Sequence, residues 1–201
     1  MKLLNKKLFI SAAVIVIGGL ILFTGGEKPS EVNGTIDSGV KGKIYFKEAV
    51  GTKAPDFELE SIDGKMVKLS DYLGKNVVLF FNEGAMCYPA CWDQIVELGN
   101  DSRFDAENIA AFSVVVDSKS QWLDIVSKST NLAKSKILFD TSRAVSKAYD
   151  VLYLSSPMHP GAFPGHTYFI IDKEGIIRFT LDDPNMALAN DKLIKEIEKL
   201  K

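Results

Sequence analysis

Residues 77–94 read VVLFFNEGAMCYPACWDQ. The first five form an unbroken apolar run, the pattern of a strand buried on both faces. Pro89 suits the first position of a helix, where its missing amide hydrogen costs nothing and its φ is already helical. Beyond it, Trp92, Ile95, Val96 and Leu98 make an apolar stripe at helical spacing, ended by Gly99 and Asn100. A buried strand therefore hands over directly to a helix, and Cys87 and Cys91, the only two cysteines of the chain, sit at the junction.

The same alternation continues on both sides. Upstream, Asp56 to Leu59 and Met66 to Leu69 flank an Asp63-Gly64 turn signal and predict a hairpin. Downstream, Ala110 to Val116 predicts a second buried strand, and Ser118 or Ser120 caps a helix running to about Thr130. Ile137 to Phe139 predicts a short strand, and Ser142 to Tyr149 a helix. Thr167 to Ile171 and Ile176 to Thr180 read as strands joined through DKEG. Leu193, Ile194, Ile197 and Leu200 give a closing amphipathic helix. Alternating strands and helices imply parallel pairing, and the late hairpin adds antiparallel strands. The expectation is an α/β fold with a mixed central sheet covered by helices on both faces. Its ligand site belongs at the carboxyl ends of the strands, where the cysteines lie.

Length and composition fit one such domain with an appendage. The chain has 201 residues, 46% of them hydrophobic and 25% charged. Its formal net charge of −2 gives no reason to expect nucleic acid as a partner. From Leu8 to Gly26 no side chain is charged, and Lys2, Lys6 and Lys7 precede the run. Residues 1–26 are therefore expected to form a basic flank and a single transmembrane helix, with a cleaved signal ending near Thr24-Gly25-Gly26 as the alternative. No cysteine closely follows the apolar run, which argues against a lipid anchor. The lysines favour a cytoplasmic N-terminus, so the rest of the chain is expected outside the cytoplasm, at the cell membrane. Residues 27–43 are polar and unpatterned and read as a flexible tether, leaving 44–201 as the folded domain.

Export makes a disulfide plausible chemistry. With Pro89 opening the helix, Cys87 falls just before it and Cys91 in its first turn. Helix N-terminal amides stabilise a thiolate, so Cys87 is the expected nucleophile and Cys91 the resolving thiol. On a helix the two would stand about 6 Å apart along the axis, near the long end of what a disulfide tolerates. Closing so short a loop adds little stability, which favours a redox pair over an inert structural bridge. Metal ligation stays open. His166 sits where a Pro- and Gly-rich loop enters a strand and is a candidate hydrogen-bond partner of Cys87 or, if charged, a stabiliser of its thiolate. His159 reads as a solvated loop residue, and Pro160 or Pro164 as sites for a cis bond. Glu83 is a candidate proton acceptor or a surface turn residue. Trp92 reads as core-facing, Tyr88 as a substrate-side aromatic, and Asp182-Asp183-Pro184 as a turn.

Two longer stretches carry a resemblance. VGTKAPDFELESIDGKMVKLSDYLGKNVVLFF (residues 50–81) and HTYFIIDKEGIIRF (residues 166–179) resemble the peroxiredoxin-like alkyl hydroperoxide reductase and thiol-specific antioxidant group, the redoxins of thioredoxin-like fold. The similarity runs from Val50 to the C-terminus. It implies an antioxidant oxidoreductase without a cofactor, in which Cys87 attacks a hydroperoxide and Cys91 resolves the sulfenic acid into a disulfide. An external thiol, such as a thioredoxin-like donor, would then reduce that disulfide. Where the group carries a proline and a threonine ahead of the reactive cysteine, this chain has Phe80 and Gly84; where it carries an arginine, His166. The chain also resembles membrane-tethered thiol-disulfide oxidoreductases, whose substrates are exported protein disulfides. A third similarity is to the copper-handling Sco family, which would make Cys87, Cys91 and His166 metal ligands.

Overall fold

The computed structural model describes residues 39–200. Seven strands form one sheet in the order β2-β1-β5-β4-β3-β6-β7. They are β1 (Glu58–Ser61), β2 (Met66–Lys68), β3 (Asn76–Phe81), β4 (Ile109–Val115), β5 (Ile137–Phe139), β6 (Thr167–Ile171) and β7 (Ile177–Asp182). The helices are α1 (Ala90–Asn100), α2 (Lys119–Lys128), α3 (Ala144–Ala148) and α4 (Asn190–Glu198). β3, β4 and β5 run parallel, while β6 and β7 are antiparallel additions, giving the mixed sheet that the alternation predicts.

All six residues of β3 are buried because it has a neighbour on each edge and a layer on each face. Side chains alternate across the pleat. Val77, Leu79 and Phe81 join Phe169, Ile171 and Tyr149 in one cluster, which α3 and the segment around Ile44, Ala49 and Phe57 complete. Val78 and Phe80 join Tyr168 and Ile170 in the other, under Ile95 of α1, Trp122 of α2 and Leu193 of α4. Helices thus cover both faces, three on one and the short α3 on the other.

Local chemistry sets the helix ends. Ser118 caps α2 through its hydroxyl, which accepts from the Gln121 amide at 3.3 Å. α3 begins at Ala144, two residues after the predicted start, because Arg143 takes a left-handed φ of 60°. There the buried Asp140 carboxylate accepts from the amides of Val145 and Ser146 at 3.2 and 2.7 Å. Pro89 is the cap residue of α1 rather than its first residue. The cis peptide among the described residues is Tyr88–Pro89, not one at Pro160 or Pro164.

Val40 is buried and Lys41 bridges to Asp56, so the last residues assigned to the tether pack on the domain. The expected transmembrane helix over 1–26, and the tether up to residue 38, lie outside the described residues. Among the described residues no helix is long and apolar enough to cross a membrane.

Candidate active site

β3 ends at Phe81, and the next ten residues are shaped by their own polar groups and by Asp117. Asn82 Oδ1 accepts from the Gly84 amide at 2.9 Å and turns the chain. Gly84 has φ +63°, and a Cβ on it would lie 1.8 Å from Asp117 Oδ2. That oxygen accepts from the Ala85 amide and from Trp122 Nε1, each at 2.9 Å. Only glycine lets the turn approach the carboxylate that pins it. The Cys87 amide then donates to the Gly84 carbonyl at 3.2 Å, and the Cys91 amide to the Cys87 carbonyl at 2.9 Å.

The two sulfurs are joined as a disulfide, with Cα atoms 5.3 Å apart. The separation is shorter than the helical spacing suggests because Cys87 lies off the helix, in the turn before its cap. Neither sulfur is freely exposed: Cys87 is 2% and Cys91 0% accessible, although their neighbours Met86 and Tyr88 are 52% and 72% exposed. The donor sulfurs of the copper reading are thus bonded to each other, and no group of three His, Cys, Asp or Glu suited to a metal occurs among the described residues.

His166 is brought to the site, but its neighbour is Cys91 rather than Cys87, with Nδ1 3.8 Å from Cys91 Sγ. Its Nε2 is 2.7 Å from the Tyr168 hydroxyl. Phe80 packs edge-on to the imidazole at 4.7 Å. Burial lowers its pKa to about 4, against the partial opposing pull of Asp183, the Ala187 backbone and Asp182. In this disulfide form the ring is neutral at neutral pH.

One further feature, Met186, was not readable as a site residue. Met186, in a left-handed conformation with φ 51°, places Sδ 3.9 Å from Cys87 Sγ. The Asp183 carboxylate holds that turn by accepting from the amides of Asn185 and Ala187, each at 3.0 Å. Asp182 belongs to β7 and accepts from the Ser155 amide at 2.8 Å, so only the second half of the predicted turn is one. Glu83 is not a surface residue: it is 1% exposed and its carboxylate accepts from the His159 amide at 2.9 Å and faces His159 Nδ1 at 3.1 Å. His159, read as an ordinary loop histidine, fastens the Pro-rich loop to the end of β3. Trp92 is half-buried between Tyr88 and Trp122, with ring centroids at 5.1 and 5.8 Å.

Known proteins resemble this chain over most of its described length. The AhpC/TSA family model matches residues 50–180. The chloroplastic 2-Cys peroxiredoxin of Spinacia oleracea is 31% identical over 80% of this chain, which spans 63% of that relative's length. Peroxiredoxin-1 of Gallus gallus is 31% identical over 76% of this chain and 79% of its own. The crystal structure of the reduced 2-Cys peroxiredoxin of Plasmodium vivax superposes with a TM-score of 0.64 at 25% identity, covering 75% of this chain and 95% of that one. The thioredoxin-like α/β fold is thereby shared with solved relatives.

Proposed function

We propose that this chain, which belongs to the AhpC/TSA family, is a thiol peroxidase that cycles Cys87 and Cys91 between dithiol and disulfide. The observation that carries the reading is the Cys87–Cys91 disulfide at the carboxyl end of β3, against the first turn of α1. In the dithiol form, Cys87 thiolate attacks the peroxide oxygen, giving a sulfenic acid and releasing an alcohol or water. Cys91 then attacks Cys87 Sγ and expels water, forming the bridge. A thioredoxin-like thiol donor supplies two electrons and two protons to restore the dithiol. The amides opening α1 supply the local setting for a thiolate, against the opposing effect of the apolar surroundings. Residues 1–26 would tether the domain to a membrane, with the domain on the extracytoplasmic side.

Rapid mixing of the reduced protein with hydrogen peroxide tests the reading. Thiol loss far faster than for free cysteine is expected, with a sulfenic acid on Cys87 preceding the disulfide, and Cys87→Ser should abolish it. A rate equal to that of free cysteine would overturn the peroxidase reading. Turnover of insulin disulfides in its place would then assign the pair to disulfide exchange.

A further inference from the structure

Tyr168 is fully buried, and its ring stacks on Phe80 at 4.6 Å. Its hydroxyl has one hydrogen-bond partner among the described residues, His166 Nε2 at 2.7 Å. If the hydroxyl accepted from Nε2–H, its own proton would be left without a partner inside an apolar stack, at a cost of about 1–3 kcal/mol. Donation to Nε2 avoids that cost. Burial pushes the phenol pKa well up, so the proton stays available to donate. A neutral imidazole with Nε2 accepting carries its own proton on Nδ1, the nitrogen that faces Cys91.

The two sulfurs therefore meet different neighbours. Cys91 faces an N–H donor and lies in the first turn of α1. Cys87 faces the Met186 thioether, which has no proton to give. At 3.8 Å the N–H contact with a disulfide sulfur is weak. A sulfur that becomes a thiolate is a far stronger acceptor, so the donor favours the charge that develops when the bridge opens.

We propose that Tyr168 is a positioning residue that fixes His166 as an Nδ1–H donor to Cys91, making Cys91 the sulfur released and Cys87 the sulfur attacked. The inference rests on the bridge being redox-active, not on peroxide as the oxidant. In the step, an external thiolate attacks Cys87 Sγ, a new sulfur–sulfur bond forms there, and the Cys87–Cys91 bond breaks. The electron pair leaves on Cys91 Sγ, where Nδ1–H receives it as a hydrogen-bond acceptor. The same donor serves Cys91 when, as a thiolate, it attacks a sulfenic acid on Cys87.

Three measurements test this. In the oxidised full chain labelled with 15N-histidine, His166 should show a protonated Nδ1 and a bare Nε2; His159→Gln assigns the signals, and the opposite tautomer overturns the proposal. Opening the bridge with glutathione and quenching with iodoacetamide should place glutathione on Cys87 and the alkyl group on Cys91, as read by tandem mass spectrometry; the reverse pattern overturns it. Tyr168→Phe, in a Cys87→Ser background, should raise the Cys91 pKa by about one unit, and alone should slow glutathione reduction about threefold. An unchanged Cys91 pKa would remove the role of Tyr168. The first two measurements use native site residues, so they stand even if Tyr168→Phe does not fold. Rapid peroxide turnover with the reversed adduct pattern would sink this inference alone, whereas the expected pattern without peroxide reactivity would sink only the peroxidase reading.

Discussion

At one end of β6, Asp172 takes its partners from its own turn: the amides of Glu174 and Ile176 at 3.0 and 2.8 Å, and the Arg178 guanidinium. At the other end, His166 takes Tyr168 from the strand it leads into but meets Cys91, 75 residues away. Around it, Ala85 reaches Asp117 across 32 residues and Cys87 meets Met186 across 99. Asp172 is a turn that builds itself, whereas the disulfide end exists only when distant segments have docked. The first tolerates change in any one member. The second transmits it, because each polar group there is satisfied by a group fixed by something else.

The glycines at the two ends give the largest contrast. Gly175, at φ +79°, would place a Cβ 3.1 Å from Lys53 Nζ and 3.3 Å from Leu73 Cδ2, both tips of flexible side chains. Gly175→Ala should cost only the left-handed penalty, about 1–2 kcal/mol. At Gly84 the Cβ would strike a carboxylate 1.8 Å away that the Ala85 amide and the buried Trp122 Nε1 hold in place. Gly84→Ala should add the loss of those hydrogen bonds and cost about 3–5 kcal/mol in total. Urea unfolding of both variants checks this, and equal losses would mean that the Asp117 clasp carries no more than an ordinary turn.

The difference between the ends also explains what the sequence disclosed. The continuous apolar run before Asn82, the DKEG turn and the Ser118 cap are local signals, so strands, hairpins and helix starts were legible. The cysteine pair was legible as a bridge that can form, since four residues and a proline bring it to the helix start, but not the cis Tyr88–Pro89 bond or the cap position of Pro89. Asp117 was not, because its partner is an amide on another strand's exit. Topology would have supplied it: β3 and β4 are parallel neighbours with Phe81 beside Val114, so the residues following each strand must meet. Tyr168 had a plainer signal, since residues i and i+2 of a strand share a face and it is two residues beyond His166. Met186 had none, as its left-handed turn depends on how Asp183 folds back beside His166, whose carbonyl accepts from the Asp183 amide at 3.0 Å.

Acid should separate the two ends at an intermediate scale. His166 binds a proton near pH 6.5 when unfolded but only near pH 4 when folded. Between those values the unfolded chain holds more protons, so stability is full above pH 6.5 and declines as pH falls toward 4. The loss attributable to this ring is on the order of 3 kcal/mol. Asp172 behaves otherwise: although burial opposes it, the amides of Ile176 and Glu174 and the Arg178 guanidinium hold its carboxyl below the ordinary 3.8. Its contribution persists until the pH drops beneath that value. Asp140, pushed up chiefly by burial, gains relative stability on acidification and works against His166. The difference between the native chain and His166→Asn therefore isolates the ring. Urea midpoints of the oxidised protein at pH 7, 5.5 and 4 should fall more steeply in the native chain, and parallel slopes would refute a neutral buried histidine.

The smallest effect is expected where the contact looks strongest on paper. Arg178 pairs with Asp172, but its side chain is 45% exposed against 7% for the carboxylate. Removing it leaves Asp172 with two backbone donors, so no buried charge is stranded. Arg178→Ala should therefore cost no more than about 1 kcal/mol, the usual range for a solvated pair. The cost should shrink further in about 1 M salt, where the screening length falls to about 3 Å. Denaturation at low and high salt measures both quantities. A larger loss that salt leaves unchanged would mean that the turn depends on its guanidinium as the disulfide end depends on Asp117, and the contrast between the two ends of β6 would disappear.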